Sequence, residues 1–369
     1  MTTLGEIVRQ YGEAYRARYG EQLLPSQAAA LHAIEACRTE ALGGRVYRCE
    51  ACQTSHYRYH SCRNRHCPRC QHEAAQQWLA RQEALLLPVP YFLVTFRLPS
   101  GLREAAYRHQ RLVYDAFFRA SAAALQQLAK DERFVGAQIG MLGVLQTWTR
   151  DLRYHPHIHY LVPGGGVSED GQRWMASKAD FFVHVKPLSR LFRTKLRAAL
   201  RENEVYAEIE PEVWEQEWVV DCRGVGNGRT ALKYLAPYIF RVALSNNRIV
   251  RVEDDHVTFT YRQGESGERR ACTLEALAFL HRYLQHILPK GFVKVRYYGL
   301  FRVGARRELA RLRGRLWLLA GLVRLEVLEE EAEERSERRE VRCPRCGAVL
   351  RLERELVRVR APPRGEWQG

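Results

Sequence analysis

The sequence contains no run of eighteen apolar residues, and therefore no candidate for a membrane-spanning helix. Its best attempt, Leu316 to Val323, is interrupted by Gly321 and flanked by arginines. Met1 to Gly20 lacks an apolar stretch behind a basic cap, which argues against a secretory signal and leads to the expectation of a soluble chain. Cysteine is sparse: ten in 369 residues is far below the density of a small secreted disulfide scaffold, and reduced thiols fit a cytoplasmic setting. Acidic residues are few beside basic ones, 42 against 58, leaving a net charge of +16. That imbalance points to a polyanionic partner and away from a purely small-molecule habit. With 46% apolar and 27% charged residues, disorder as the main theme is excluded as well.

Composition divides the chain into residues 1–87, 88–303 and 304–369. In the N-terminal region a pair of helical-looking stretches, Gln27 to Glu35 and Gln71 to Leu87, flank a segment rich in cysteine, histidine and arginine with hardly any aliphatic residues. Such a segment buries too little apolar surface to fold unaided, and a structural metal commonly makes up the deficit. The middle region reads as a strand (Val89 to Leu98), a helix (Arg103 to Leu128), two strands around the Arg150-Asp151 turn (Gly143 to Val162), a basic helix (Leu188 to Glu204), a hairpin (Arg248 to Arg262), a helix (Thr273 to Leu288) and a last strand (Gly291 to Leu300). Short strands joined mostly through hairpins predict an α+β fold, an antiparallel sheet with helices packed on a face. Gly224-x-Gly226-x-Gly228 reads as a flexible lead into the helical stretch from Ala231. The C-terminal region opens with an arginine-leucine helix (Ala305 to Leu325), passes through a charge run (Glu329 to Glu340) and reaches Cys343-Pro344-Arg345-Cys346-Gly347 before a polar tail.

Cys49-x2-Cys52 and Cys67-x2-Cys70 have the spacing of a tetrahedral four-cysteine zinc site, each pair on a knuckle turn. Unliganded core thiols would need greasy neighbours, whereas Arg48, Glu50, Gln53, Arg63, Asn64, Arg65 and Arg69 surround these. Cys37, His56, His60, Cys62 and His66 lie nearby and are candidates for a second site or for exchange into the first. Arginines between the ligands, Arg63, Arg65 and Arg69 among them, can fork onto phosphate oxygens. Cys343-x2-Cys346 is half a site whose partners must come from Cys222, Cys272, a distant histidine or another copy of the chain.

The run His155-Pro156-His157-Ile158-His159-Tyr160-Leu161-Val162 is the most informative in the chain. On a strand the three histidines share one face, while Ile158, Tyr160 and Val162 take the other. Two adjacent imidazoles chelate one ion and leave positions open, as a catalytic metal requires. For a phosphodiester substrate the ion would be magnesium or manganese, polarising a non-bridging oxygen. A nucleophile is offered by Ala231 to Arg241, where Tyr234 and Tyr238 stand at i and i+4, with Pro237 able to splay them. A phenol of ordinary pKa near 10 needs a cation beside it to ionise, and Arg229, Lys233 and Arg241 are near in sequence.

Together these features resemble the rolling-circle insertion-sequence transposases of the IS ninety-one family, relatives of Helitrons, HUH replication initiators and relaxases. The resemblance is carried by Cys37-Arg38-Thr39 with Gly43-Gly44, by Tyr59 to Pro68, by Thr147-Trp148, by His155 to His159, by Lys233-Tyr-Leu-Ala-Pro-Tyr238 with Ser245 to Ile249, and by Leu288-Pro289-Lys290-Gly291-Phe292. It implies an HUH nuclease core behind a zinc-bearing DNA-recognition module, acting on single-stranded element ends in the cytoplasm, at the nucleoid. It further implies that His157 and His159 hold the catalytic ion, that Tyr234 and Tyr238 attack the DNA in turn through a 5′-phosphotyrosine intermediate, and that Lys233 and Arg241 meet the substrate. A third metal ligand is expected of the family. Many relatives have histidine before Thr147, where this chain has Gln146, which can reach the ion across the hairpin; His155 is the competitor. A plasmid replication initiator or relaxase would use the same chemistry, and a zinc-dependent DNA-binding regulator would use none.

Overall fold

The computed structural model describes residues 2–70, 72–230, 232–233, 243–263, 267–319 and 341–358. Helix α1 (Leu4–Tyr19) starts at a capping box, in which the Thr3 hydroxyl accepts from the Glu6 N–H and the Glu6 carboxylate accepts from the Thr3 N–H. It packs on α2 (Pro25–Glu35), whose first position is a proline that gives up no hydrogen bond there. A short hairpin comes next, β1 (Gly44–Arg48) and β2 (Ser55–Tyr59), and then α3 (His72–Glu83).

The central sheet begins with β3 (Pro90–Arg97). After α4 (Arg103–Arg108) and α5 (Gln110–Ala129) come β4 (Met141–Trp148), β5 (Tyr154–Pro163) and a small ribbon of β6 (Gly165–Val167) and β7 (Trp174–Ala176). Helix α6 (Val185–Arg201) leads to β8 (Val220–Asn227). Strands β9 (Ile249–Glu253), β10 (His256–Arg262) and β11 (Arg269–Glu275) form a separate meander ahead of α7 (Ala276–Leu284). Then β12 (Val295–Tyr298) joins the central sheet, α8 (Arg306–Leu319) succeeds it, and β13 (Arg351–Leu356) comes last.

The central sheet is antiparallel throughout, in the order β12-β4-β5-β3-β8. Every residue of β4 is buried, so it reads as a continuous apolar run rather than an alternation, because both faces of the sheet are covered. On one face Phe92, Val94, Phe96, Leu145, Ile158 and Tyr160 meet α5 and α6. Helix α6 presents Leu188, Phe192, Leu196 and Leu200 at four-residue intervals, one apolar stripe on a basic helix. On the other face Tyr91, Leu93, Leu142, Val144 and Leu161 meet Trp78 of α3 and Leu232. The expected α+β architecture is thus present.

Packing units cut across chain order. Leu4, Ile7, Val8 and Tyr15 of α1 share a core with Phe259 of β10 and Phe279, Leu280 and Tyr283 of α7. At the other end of the chain, β13 adds to the β1–β2 hairpin as a third antiparallel strand. Two local expectations change. The stretch expected as a helix from Thr273 begins as strand β11, where Thr273 and Thr258 hydroxyls bond across the ladder at 2.9 Å, and turns helical only at Ala276. The glycine triplet expected as a flexible lead is largely the edge strand β8.

His286, at the foot of α7, is 1% exposed; its Nε2–H donates to the Leu152 carbonyl (3.2 Å) and its Nδ1 meets the Thr147 hydroxyl (3.3 Å). Burial lowers its pKa from 6.5 to about 4. The unfolded chain therefore binds a proton first on acidification, so stability falls as pH drops from about 6.5 towards about 4, by on the order of 3 kcal/mol at full titration. The thermal midpoint should decline over that window, and His286→Leu should decline less steeply; equal slopes would reject this assignment.

Candidate metal centres and the histidine strand

The cysteines form two groups. Cys37, Cys62, Cys67 and Cys70 bring their sulfurs within 4.8 Å of one another, as do Cys49, Cys52, Cys343 and Cys346. In the first group Cys37–Cys70, Cys62–Cys70 and Cys37–Cys67 are 3.5, 3.6 and 3.7 Å apart. A disulfide would be near 2.05 Å, whereas the edge of a tetrahedron with zinc–sulfur bonds of about 2.3 Å is about 3.8 Å. The donor set and its spacing fit zinc. Like thiols packed together also polarise one another: hydrogen bonding from its neighbours pulls Cys70 far below its ordinary pKa and pushes Cys67 far above.

The expected set of Cys49, Cys52, Cys67 and Cys70 is therefore split. The cause is the β1–β2 hairpin. Cys49 and Cys52 sit at its turn, while Cys37 precedes β1 and Cys62 follows β2 at its open end. Five residues of strand at about 3.4 Å each separate the two ends by more than one ion can bridge. His66, another candidate ligand, accepts from the Arg65 guanidinium at Nε2 (3.2 Å) and belongs to neither group. Arg65 was expected to face phosphate. Instead it donates to the carbonyls of Phe292 (2.6 Å), Pro289 (2.8 Å) and Leu288 (3.4 Å), bolting the metal loop to the segment after α7. Arg63 and Arg69 are exposed.

The histidine strand β5 lies at the centre of the sheet, paired with β4 and β3. Gln146 is directly opposite His157, and Thr95 opposite His159. The His157 Nδ1–H donates to the His155 carbonyl (2.7 Å), which turns Nε2 towards Gln146 Oε1 at 3.2 Å. Two acceptors that close require a proton or a cation between them, or a turned amide; the amide nitrogen of Gln146 is buried without a partner. His159 meets the Thr95 hydroxyl through Nδ1 at 2.9 Å, and its ring centre is 4.9 Å from that of His157. Burial lowers the pKa of His157 to about 4 and of His159 well below 6.5, so both rings are neutral and able to ligate. His155 differs: its Nδ1 accepts from the Arg103 guanidinium at 2.8 Å, which commits that nitrogen and fixes the proton on the other. Of the two side chains beside His157 and His159, Gln146 directs its amide oxygen at the His157 ring, whereas His155 is engaged by Arg103.

Register exposes cations that sequence order hides. Arg97 is opposite His157, and Arg223 of β8 is opposite Leu93, so both continue the face that bears the histidines. Both are exposed, and their charges act on His159. Only the period-two continuation of Tyr91-Leu93-Thr95-Arg97 could have flagged Arg97 in the sequence. Lys233 is exposed and follows Leu232, which is 1% exposed and packs against Leu142, Val144 and Leu161 on this face. Tyr234, Tyr238 and Arg241 lie outside the described residues.

A zinc-bearing protein built to handle DNA accounts for this combination, and comparison with known proteins agrees. Residues 140–308 match a family described as a putative transposase, and residues 7–98 match the transposase zinc-binding domain of IS91 type. The chain is 42% identical over 316 residues to a putative transposase, y4qJ, of Sinorhizobium fredii, covering 80% of this chain and 79% of that one. It is 30% identical over 281 residues to the transposase for insertion sequence element IS801 of Pseudomonas savastanoi pv. phaseolicola, covering 72% and 67%. No solved structure matches. The chain belongs to the IS91-type transposases, enzymes that cut and rejoin DNA, and among its described residues no helix is long and apolar enough to cross a membrane.

Proposed function

We propose that the chain nicks and rejoins single-stranded DNA at the ends of its element by tyrosine transesterification, the HUH chemistry of rolling-circle transposition. A phenolate oxygen of Tyr234 or Tyr238 forms a bond to the scissile phosphorus as the bond to the 3′ oxygen breaks. That oxygen takes up a proton and leaves as a 3′-hydroxyl, while the 5′ end stays on the enzyme as a phosphotyrosine. One phosphodiester replaces another, so rejoining needs no ATP. Two phenols permit two successive transfers. A magnesium or manganese ion bound by Gln146, His157 and His159 would supply Lewis-acid polarisation of a non-bridging oxygen. Arg97, Arg223 and Lys233 would position the strand through its phosphates, and Arg63 and Arg69 would meet it at the zinc-bearing recognition module, residues 1–87. The first thiol group, Cys37, Cys62, Cys67 and Cys70, would hold that module's structural zinc.

The observation that carries this reading is Leu232. It is buried against Leu142, Val144 and Leu161, the residues next along the same face from Gln146 and His159, and Tyr234 comes two residues later. The test is an oligonucleotide from the element's end incubated with the protein and manganese. An SDS-resistant protein–DNA adduct is expected, and Tyr234→Phe/Tyr238→Phe should abolish it. An adduct that persists in the double variant rejects the tyrosine mechanism.

A further inference from the structure

We propose that Cys49, Cys52, Cys343 and Cys346 bind a second zinc ion, coordinated half by the N-terminal hairpin and half by the tail, so that the metal fastens the two ends of the described chain together. The matched zinc-binding domain covers residues 7–98, and two of these four ligands lie far outside it. Their sulfurs nonetheless converge: Cys49–Cys346 is 3.4 Å and Cys52–Cys343 is 3.7 Å, across sequence separations of 297 and 291 residues. Both spacings match the edge of a zinc tetrahedron and exceed a disulfide bond.

Each half is a formed knuckle. The Cys49 N–H donates to the Thr54 carbonyl around a turn that holds Gln53 at φ +55°. The Cys343 N–H donates to the Ala348 carbonyl and the Gly347 N–H to the Cys343 carbonyl, with Gly347 at φ +77°, a conformation that suits glycine. Cys49 and Cys343 are 0% and 3% exposed, while Cys52 is half-buried and Cys346 exposed, so the centre is covered on one side and reachable by solvent on the other. His56 Nε2 stands 3.3 Å from the Cys343 sulfur, where a ring N–H would stabilise a thiolate.

A second, independent feature shows that the tail belongs there. Strand β1 is flanked on both sides, by β2 and by β13, and its start admits β13 through Gly43 and β2 through Gly44. A Cβ on Gly43, which has φ +66°, would lie 2.4 Å from the Leu356 carbonyl oxygen, and one on Gly44 would lie 2.5 Å from that of Arg58. The pairing of β13 itself has little else behind it. Arg351 to Glu355 are all exposed, and the ion pairs Arg45–Glu355 and Arg351–Glu50 are at the surface, where such contacts contribute little. A charged strand with no apolar face needs a stronger tie, and a tetrathiolate metal provides one.

Metal content of the purified full chain, measured by inductively coupled plasma mass spectrometry, should give two zinc ions per chain. Cys343→Ser/Cys346→Ser should give one, with the segment after residue 341 becoming rapidly cleaved by protease and the rest of the chain intact. Cys346→His keeps a zinc-competent ligand and should restore the second ion and the protection. One zinc in the wild type, two in the double-serine variant, or an unchanged protease pattern would overturn the proposal. So would thiol titration in denaturant without reductant that finds four fewer thiols than the ten cysteines, the result for two disulfides.

Discussion

Replacing His157 or His159 by alanine should lower manganese-dependent nicking of single-stranded DNA by on the order of 10³-fold while leaving oligonucleotide affinity within a few fold. Lewis-acid stabilisation of a developing phosphorane is worth several kcal/mol, and each 1.4 kcal/mol is about a decade in rate. Affinity should be spared because the exposed cations proposed to meet phosphate, Arg97, Arg223 and Lys233, are not among the ligands proposed for the ion. Gln146→Ala should cost less, since water replaces a neutral amide oxygen more readily than an imidazole. Gln146→His should remain active and shift preference from magnesium towards manganese, because imidazole suits softer divalent ions. Nicking that survives both histidine replacements to within about tenfold would remove the metal from this strand. A parallel fall in binding and in thermal midpoint would instead mean that the rings serve packing.

The difference between what could be read beforehand and what could not arises from how each signal is written along the chain. The face-sharing of His157 and His159 is local, fixed by strand geometry over three residues, and the antiparallel core followed from apolar runs broken by turns. Cation placement was not local: Arg97 and Arg223 join the site only through the β8-β3-β5 register. Arg65 looked like the other loop arginines until the carbonyls of residues 288–292 came to meet it. The ligand partition was hidden for a similar reason, because a fourteen-residue spacing suits one zinc site unless a hairpin fills it. Strands β1, β2 and β13 gave no warning. They are short, and β13 (Arg-Leu-Glu-Arg-Glu-Leu) has no buried alternation for pattern reading to find. What the sequence did hold was parity: Cys37 and Cys62, left over from one tetrahedron, and Cys343 and Cys346, half of another, complete two sets of four.

Cys67→Ser should lower the thermal midpoint by about 10 °C or more, and its effect should reach well beyond the metal loop. A structural zinc contributes folding free energy outright, and several kcal/mol in a chain of this size shifts the midpoint by a few degrees each. The reach comes from the attachments. Cys37 and Cys67 are buried in the same cluster as Leu4, Ile7, Phe259 and Phe279. The Tyr283 hydroxyl of α7 donates to the His66 carbonyl next door, and Arg65 holds the carbonyls after that helix. Loss of the ion therefore loosens the loop on which α1, α2 and α7 all rest. Hydrogen exchange should rise in α1 and α7 as well as in residues 60–70, while the β3-β5-β4 ladder, covered on its other face by α5 and α6, keeps its protection. Arg65→Ala, which leaves the zinc in place but strips three carbonyls of their donor, should reproduce the increase in α7 at a smaller cost in midpoint. If the serine variant loses one zinc with no change in midpoint or in the exchange of α1 and α7, the ion is ornamental to this core, and the apolar contacts of α1 with α7 suffice without it.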